Sequence, residues 1–414
     1  MRHAAVVLVV TPLAAGPLGC GGGDSPAASG SGGAPSASSA SSAASSSTSS
    51  SAGAGGAGGA GGAPSAPSFG APAPLSDPTS QAFVPVLAVH GGSTLVAWHE
   101  FPMGASSSQV MISIVTGGEP GPATPLADPF AGPKNPWVAP TSSGFVVAYQ
   151  ANDGQTDVVR AVEIDDAGVV TRGPDTISTP GSEAAMPRVA AAGAEEAFSW
   201  TDGQKHSFAM RGPLETVPGS DVGTTLLSQG ILNFPRIALH EDGSLDLAYR
   251  DGGSDTTDWD VLLVVRPPGA AFGAPADVSK SPGLLSDDIA LALEQDGTLD
   301  LAWVDQDGSN VDAFEVDWAT RSPAGSISSA HRYGTQGLWA WAPSVVPGGA
   351  SVWTTSTGAK GPFWFGAAGL PPTSILSGSQ GSHPSLARDA QGAFHLAYAD
   401  DAAPARIRYV ESAP

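Results

Sequence analysis

Cysteine is nearly absent from this 414-residue chain: Cys20 is its only one, so no intrachain disulfide can form. Basic residues are few as well, 17 Lys and Arg against 39 Asp and Glu, a net charge of −22. That balance excludes a nucleic-acid partner, because phosphate binding depends on a basic surface that releases counterions. No run is long and apolar enough to be read as a membrane span, and no stretch carries the 3.6-residue periodicity of a long amphipathic helix. The eight histidines are scattered and form no zinc pattern, and neither G-x-S-x-G nor HExxH occurs.

What the chain does have is a repeat. The stretch Asn233 to Asp251, NFPRIALHEDGSLDLAYRD, combines a proline, an alternating apolar run, a tight Glu241-Asp242-Gly243-Ser244 turn and a second alternating run ending in Tyr249. This is the pattern of a β-hairpin. Variants of it recur seven times, with the closing aromatic at Trp98, Tyr149, Trp200, Tyr249, Trp303, Trp353 and Tyr398, spaced 51, 51, 49, 54, 50 and 45 residues apart. Pro85, Pro136 and Pro187 precede their aromatics by 13 residues, Pro235 and Pro384 by 14, and Pro343 by only 10. In the fifth unit Ile289 stands in place of the proline. A period near fifty with a hairpin in each unit predicts an all-β, seven-bladed β-propeller of four-stranded antiparallel blades.

Third strands are expected at 110–115, 157–164, 206–210, 260–265, 313–319, 362–367 and 406–410, and weaker fourth strands at 124–127, 175–178, 224–227 and 274–279. The last unit stops at Pro414 after its third strand. Ser68 to Ser76, SFGAPAPLS, matches the fourth-strand segment AFGAPADVS at Ala271 to Ser279, so the N-terminal strand is expected to complete the last blade and close the ring.

Three regions follow. Residues 1–20 read as an export signal: Arg2 and His3, an apolar run from Ala4 to Leu18, then Gly19-Cys20. The Leu18-Gly19-Cys20 end resembles the lipobox of bacterial lipoproteins, although Pro17 stands where leucine is usual; the resemblance implies lipidation of Cys20, the alternative being an ordinary secretory signal. Residues 21–67 are almost wholly Gly, Ala, Ser and Pro, a linker unable to bury enough apolar surface to fold, with a reach on the order of 35–40 Å. Residues 68–414 are the propeller. Lipidated cysteine, tether and globular domain together resemble myxobacterial-type surface lipoproteins, which implies a cell-envelope address, with Gly21 after the cysteine directing it to the outer membrane and cell surface.

The repeat resembles those of sialidase-like and related bacterial propellers in its proline-led strand, DG turn and strand ending in Trp or Tyr. The S-x-D-x-G-x-x-W box of that group is absent, so the resemblance implies architecture and not activity.

Several residues are candidates for function. An acid stands two residues after the aromatic in five units, Glu100, Asp202, Asp251, Asp305 and Asp400, where it either opens its own turn or joins a ring of acids around one mouth. Asp251, Asp255, Asp258 and Asp260, and Asp305, Asp307 and Asp312, make two oxygen-rich loops; Asp251, Asp255, Asp258, Asp305 and Asp307 suit Ca2+, against the alternative of solvated acidic loops. No other cofactor is indicated. Arg332, Tyr333, Trp339 and Trp341, with Trp318 and Trp364 nearby, form an aromatic-rich departure from the repeat that either fills space between blades or offers stacking faces to a sugar, with Asp251 and Asp305 supplying carboxylates. Arg188 and Arg236 each follow a repeat proline, a place from which they could approach the mouth; a sialidase-like carboxylate site needs a third arginine, which the pattern does not assign.

The reading is a monomeric, lipid-anchored surface module that binds extracellular carbohydrate or protein at one mouth. A glycoside hydrolase or lyase using carboxylates there, with catalytic residues unassigned, and a structural scaffold without a small-molecule site are the alternatives.

Overall fold

The computed structural model describes residues 66–413 except 204, 226–234, 252–258, 282–283, 308–313, 334–339 and 356–360. It is a seven-bladed β-propeller without helices among those residues, each blade an antiparallel sheet. The inner strands are Gln81–His90, Ala131–Thr141, Ala184–Ala192, Arg236–Leu239, Leu284–Leu293, Ala340–Val346 and Gly381–Arg388. Each lies between the inner strands of the blades before and after it, and the seventh returns to the first.

Third strands fall within two residues of the expected limits, for example Asp157–Ile164 and Asp260–Arg266. Fourth strands are less regular. In blade three it runs Val217–Thr225, starting seven residues before the expected 224, because its ladder to Lys205–Arg211 shifts register twice.

The ring closes as expected. Ala73 and Pro74 pair with Tyr409 and Arg408, Gly70 N–H donates to Glu411 O at 3.0 Å, and Leu75 N–H donates to Ile407 O at 2.9 Å. Leu75 is buried in a cluster with Trp98, Ile407 and Tyr409, which joins blade seven to blade one.

Each repeat aromatic is buried against the preceding blade. Trp98 meets Ala397 and Ile407 of blade seven, Trp200 meets Val146 and Val159 of blade two, and Trp303 meets Ala248 and Leu263 of blade four. Alternate residues of a strand share a face, so the acid two positions on is carried to the same blade interface as its tryptophan. Trp98 Nε1–H accordingly donates to Glu100 Oε2 and Trp303 Nε1–H to Asp305 Oδ1, both at 2.9 Å. Asp400 holds its own loop, accepting from Arg406 N–H at 2.9 Å and pairing with Arg408 at 2.9 Å. Of the two alternatives for these acids, a ring at the mouth does not hold for Glu100, Asp305 and Asp400, which are all buried, while Asp202 and Asp251 are half-buried.

The inner strands share one distortion. The residue before the repeat proline has a positive φ at Val84 (45°), Asn135 (52°), Met186 (53°), Ala342 (49°) and His383 (50°), and Asp288 (49°) does so before Ile289. At each place the ladder shifts register, as between Phe83↔His99 and Val86↔Ala97. These are β-bulges, where two residues oppose one and the second needs no ladder N–H, which is why proline fits there. The left-handed conformation is costly for side-chain-bearing residues, about 1–3 kcal/mol each, and most costly for β-branched Val84.

Deleting residues 68–80 removes the closing hydrogen bonds and the Leu75 side chain. The expected loss is at least about 2 kcal/mol, mostly from apolar burial, read as a lower denaturation midpoint. An unchanged midpoint would mean that the ring does not depend on this strand.

Candidate functional site at the channel mouth

The inner strands enclose a central channel of about 600 Å3, lined from all seven blades. The bulges set its character at the end where the inner strands begin. Val84, Met186, Asp288, Ala342 and His383, all left-handed, line it there together with Trp137, Arg188 and Arg236.

Trp137 follows Pro136, Arg188 follows Pro187 and Arg236 follows Pro235, so one slot of three successive blades supplies the three side chains. The guanidinium carbon of Arg188 lies 4.2 Å from the Trp137 ring centroid and that of Arg236 lies 4.9 Å from it. Two cations thus stack on one indole, a favourable contact when desolvated. Arg188 Nη1–H donates to Pro187 O at 2.8 Å, and Arg236 Nε–H donates to Ile289 O. Arg236 Nη1 is buried and has no hydrogen-bond partner among the described residues. Burial pulls the pKa of Arg236 down to about 10 despite Asp288 and Asp287, and burial with the charge of Arg236 pulls Arg188 down. At about 10, Arg236 remains a cation at neutral pH.

The acids opposite them lie on the fifth inner strand. Asp288 Oδ2 accepts from Ala342 N–H at 3.1 Å, and Asp287 pairs with Arg250, whose guanidinium lies 4.3 Å from the Trp259 ring centroid. Burial and the neighbouring Asp288 push the Asp287 carboxyl up. His383 lines the same space.

Beyond the channel rim a polar network runs over blade two. Asn135 Nδ2–H donates to Gln150 Oε1 at 3.1 Å, Gln150 Nε2–H to Asp157 Oδ2 at 2.6 Å and Lys134 Nζ–H to Asp157 Oδ2 at 3.1 Å. It leads to a second cavity, about 380 Å3, lined by Asn152, Asp157, Glu183 and Thr201. On the other side Asn135 N–H approaches His99 Nδ1 at 3.5 Å.

The residues singled out from sequence lie elsewhere. Asp305 is buried, accepting from Ser281 Oγ at 2.9 Å and Ser286 Oγ at 2.5 Å besides Trp303. Arg332 is brought to it at 3.7 Å but binds chiefly Asp317, through Nε at 3.0 Å and Nη2 at 3.1 Å, and Glu315 at 2.5 Å. Burial first, and then the neighbouring Asp317 carboxylate, push Asp305 up. Tyr333 is stacked on Trp353 at 5.4 Å and donates to Gly349 O at 2.8 Å, so it packs between blades five and six. Trp318 and Trp364 are likewise engaged, donating to Asp300 Oδ1 and Thr355 Oγ1. Asp251 is half-buried opposite Asp260. Trp341 and Asp307 enter through their backbones, which pair with Thr354 and Leu284. Cys20, Asp255, Asp258, Asp312 and Trp339 lie outside the described residues.

Of the residues now at the mouth, Arg188 and Arg236 were visible in the sequence. Trp137, Asp288 and His383 were not, although the slots flanking each repeat proline, or Ile289 in its place, would have found them.

Neither a protein-family profile nor a curated protein sequence matches the chain. Among solved structures it is similar to a Dyadobacter fermentans protein of unknown function, at 11% identity over 82% of this chain and 97% of that one, TM-score 0.49. It is similar also to Penicillium chrysogenum α-L-arabinanase complexed with arabinobiose (13%, 83% and 96%, TM-score 0.49) and to a polysaccharide lyase (7%, 79% and 88%, TM-score 0.49). No activity passes to this chain across such identities.

His99 is held at about 4 by burial first, then by His383 and Lys134. A histidine with a depressed folded pKa contributes stability that is complete above its unfolded value, about 6.5, and lost as pH falls toward 4. His99→Gln keeps an acceptor for Asn135 N–H and does not titrate. From pH 7 to pH 5 the variant should therefore lose less stability than the parent, by up to about 2 kcal/mol. Parallel unfolding curves at the two pH values check this; equal losses would show that His99 protonates freely in the folded protein.

Proposed function

We propose that this protein is a binding module whose channel mouth takes an extracellular saccharide carrying a carboxylate. The observation that carries the reading is the buried Nη1 of Arg236, turned to the channel beside Arg188 and without an acceptor among the described residues. A buried donor left unmade costs about 1–3 kcal/mol, and a carboxylate meets guanidinium geometry with paired, charge-assisted hydrogen bonds. Polar groups at the rim, Asn135, Gln150 and Lys134, suit sugar hydroxyls.

The overall charge of −22 opposes an anion only at long range. Salt screens exposed charges beyond roughly 8–10 Å, and within contact distance the balance differs. Arg188 and Arg236 face Asp288, while Asp287 is engaged by Arg250. The local cations decide.

In this reading lipidated Cys20 holds the chain at the outer surface and residues 21–67 let the propeller reach its ligand. A hydrolase or lyase acting at the same mouth is the second reading. It is favoured by one observation: Asp287, raised by burial and by Asp288, has the environment of a carboxylic acid able to give up a proton near neutral pH.

Calorimetric titration with galacturonic acid and with galactose separates the possibilities. Galacturonate should bind, more weakly at higher ionic strength, and Arg236→Gln should weaken it at least tenfold, as expected of a charged hydrogen bond. Equal binding of both sugars, or an unaffected variant, would contradict the carboxylate reading. Glycan turnover lost on Asp287→Asn would replace the binding module by the enzyme.

A further inference from the structure

We infer that the mouth has a second, stacking subsite between blades one and two, formed by Phe83, His99, Phe101 and Met103, so that the ligand is a chain of at least two sugar units. The inference rests on the carboxylated-saccharide reading for its first unit and adds the second.

Phe101 is 39% exposed, and no other Phe, Tyr or Trp among the described side chains reaches the exposed class. The other described Phe, Tyr and Trp side chains are buried or half-buried. Here the chain places one in water beside Met103, which is 76% exposed. The patch is built, not incidental. Phe83 is stacked on His99 with ring centroids 5.3 Å apart and an interplanar angle of 20°, and Phe101 stands edge-on to Phe83 at 6.1 Å and to His99 at 6.3 Å. Three rings braced against one another present a rigid apolar face at little entropic cost, which is how aromatic side chains bind sugars and other amphipathic ligands.

Its position names the occupant. Phe83 is the neighbour of left-handed Val84, which lines the channel, and His99 meets Asn135, two residues before Trp137. Two residues of a strand span roughly 7 Å, about one sugar ring. Beside the rings lies Asn135, whose N–H meets His99, with Lys134 next to it in sequence, both carrying N–H donors of the kind that suit hydroxyls. A ligand with its carboxylate at Arg236 therefore continues over Asn135 onto Phe101.

The test is calorimetric titration of the full-length protein with galacturonate, its disaccharide and its trisaccharide, and in parallel with the neutral galactose series of the same lengths. Affinity should rise at least tenfold from the monomer to the trimer of galacturonate. Phe101→Ala should abolish that rise while leaving the monomer within twofold, and Phe101→Trp should retain it. Arg236→Gln should weaken every acidic ligand regardless of length. Equal affinity at all lengths, or a rise that survives in Phe101→Ala, would overturn the stacking subsite. If no galacturonate binds but the neutral trimer does, dependent on Phe101, the carboxylate reading fails and the stacking subsite stands. If neither series binds, both fall.

Discussion

The left-handed residue ahead of the repeat proline governs this propeller. Seven strands must converge on one axis, and in six of the seven the described backbone breaks its ladder at the same place, with one residue at positive φ. Proline follows in five of those six because a bulge asks for no N–H from its second residue. The break turns alternate side chains into the channel at one end only. It is a distortion maintained against its own cost, and strain of this kind collects at ligand sites because a regular strand cannot present the same groups.

The second constraint is the packing of each closing aromatic on the blade before it. In blades one and five the indole N–H would be left unmade in an apolar interface without Glu100 or Asp305 to accept it. The acids that look like a negatively charged ring are thus partly the polar complement of the tryptophans. Asp305 shows the price of this arrangement: burial and the nearby Asp317 raise it, and Arg332 closes the cluster from outside. Such a cluster holds blade five together around buried Asp305 and Asp317.

The sequence made the architecture legible because spacing is a property of the repeat and every blade repeats it. Hairpins and third strands were placed to within a residue or two, while fourth strands were not, being short, exposed and irregular in register, as at Val217–Thr225. The site was legible in part. Arg188 and Arg236 stood out because a charge directly after a repeat proline is unusual. Asp288 and His383 did not, since nothing in composition signals a positive φ. The aromatics around Tyr333 attracted attention by their density, yet density reflected packing between two irregular blades. Phe101, a single aromatic, gave no signal until its exposure was seen.

Placing the ligand at Arg236 ties these elements together: the bulges aim the guanidiniums, Trp137 offers its ring to both at 4.2 and 4.9 Å, and half-buried Asp288 keeps them from being wholly uncompensated. Crystals of the protein soaked with digalacturonate test this most directly. The account predicts density in the channel mouth with the carboxylate at Arg236 Nη1 and a sugar ring over Phe101. Ordered density on the acidic loops, or at the opposite end of the channel with the arginines untouched, would contradict it.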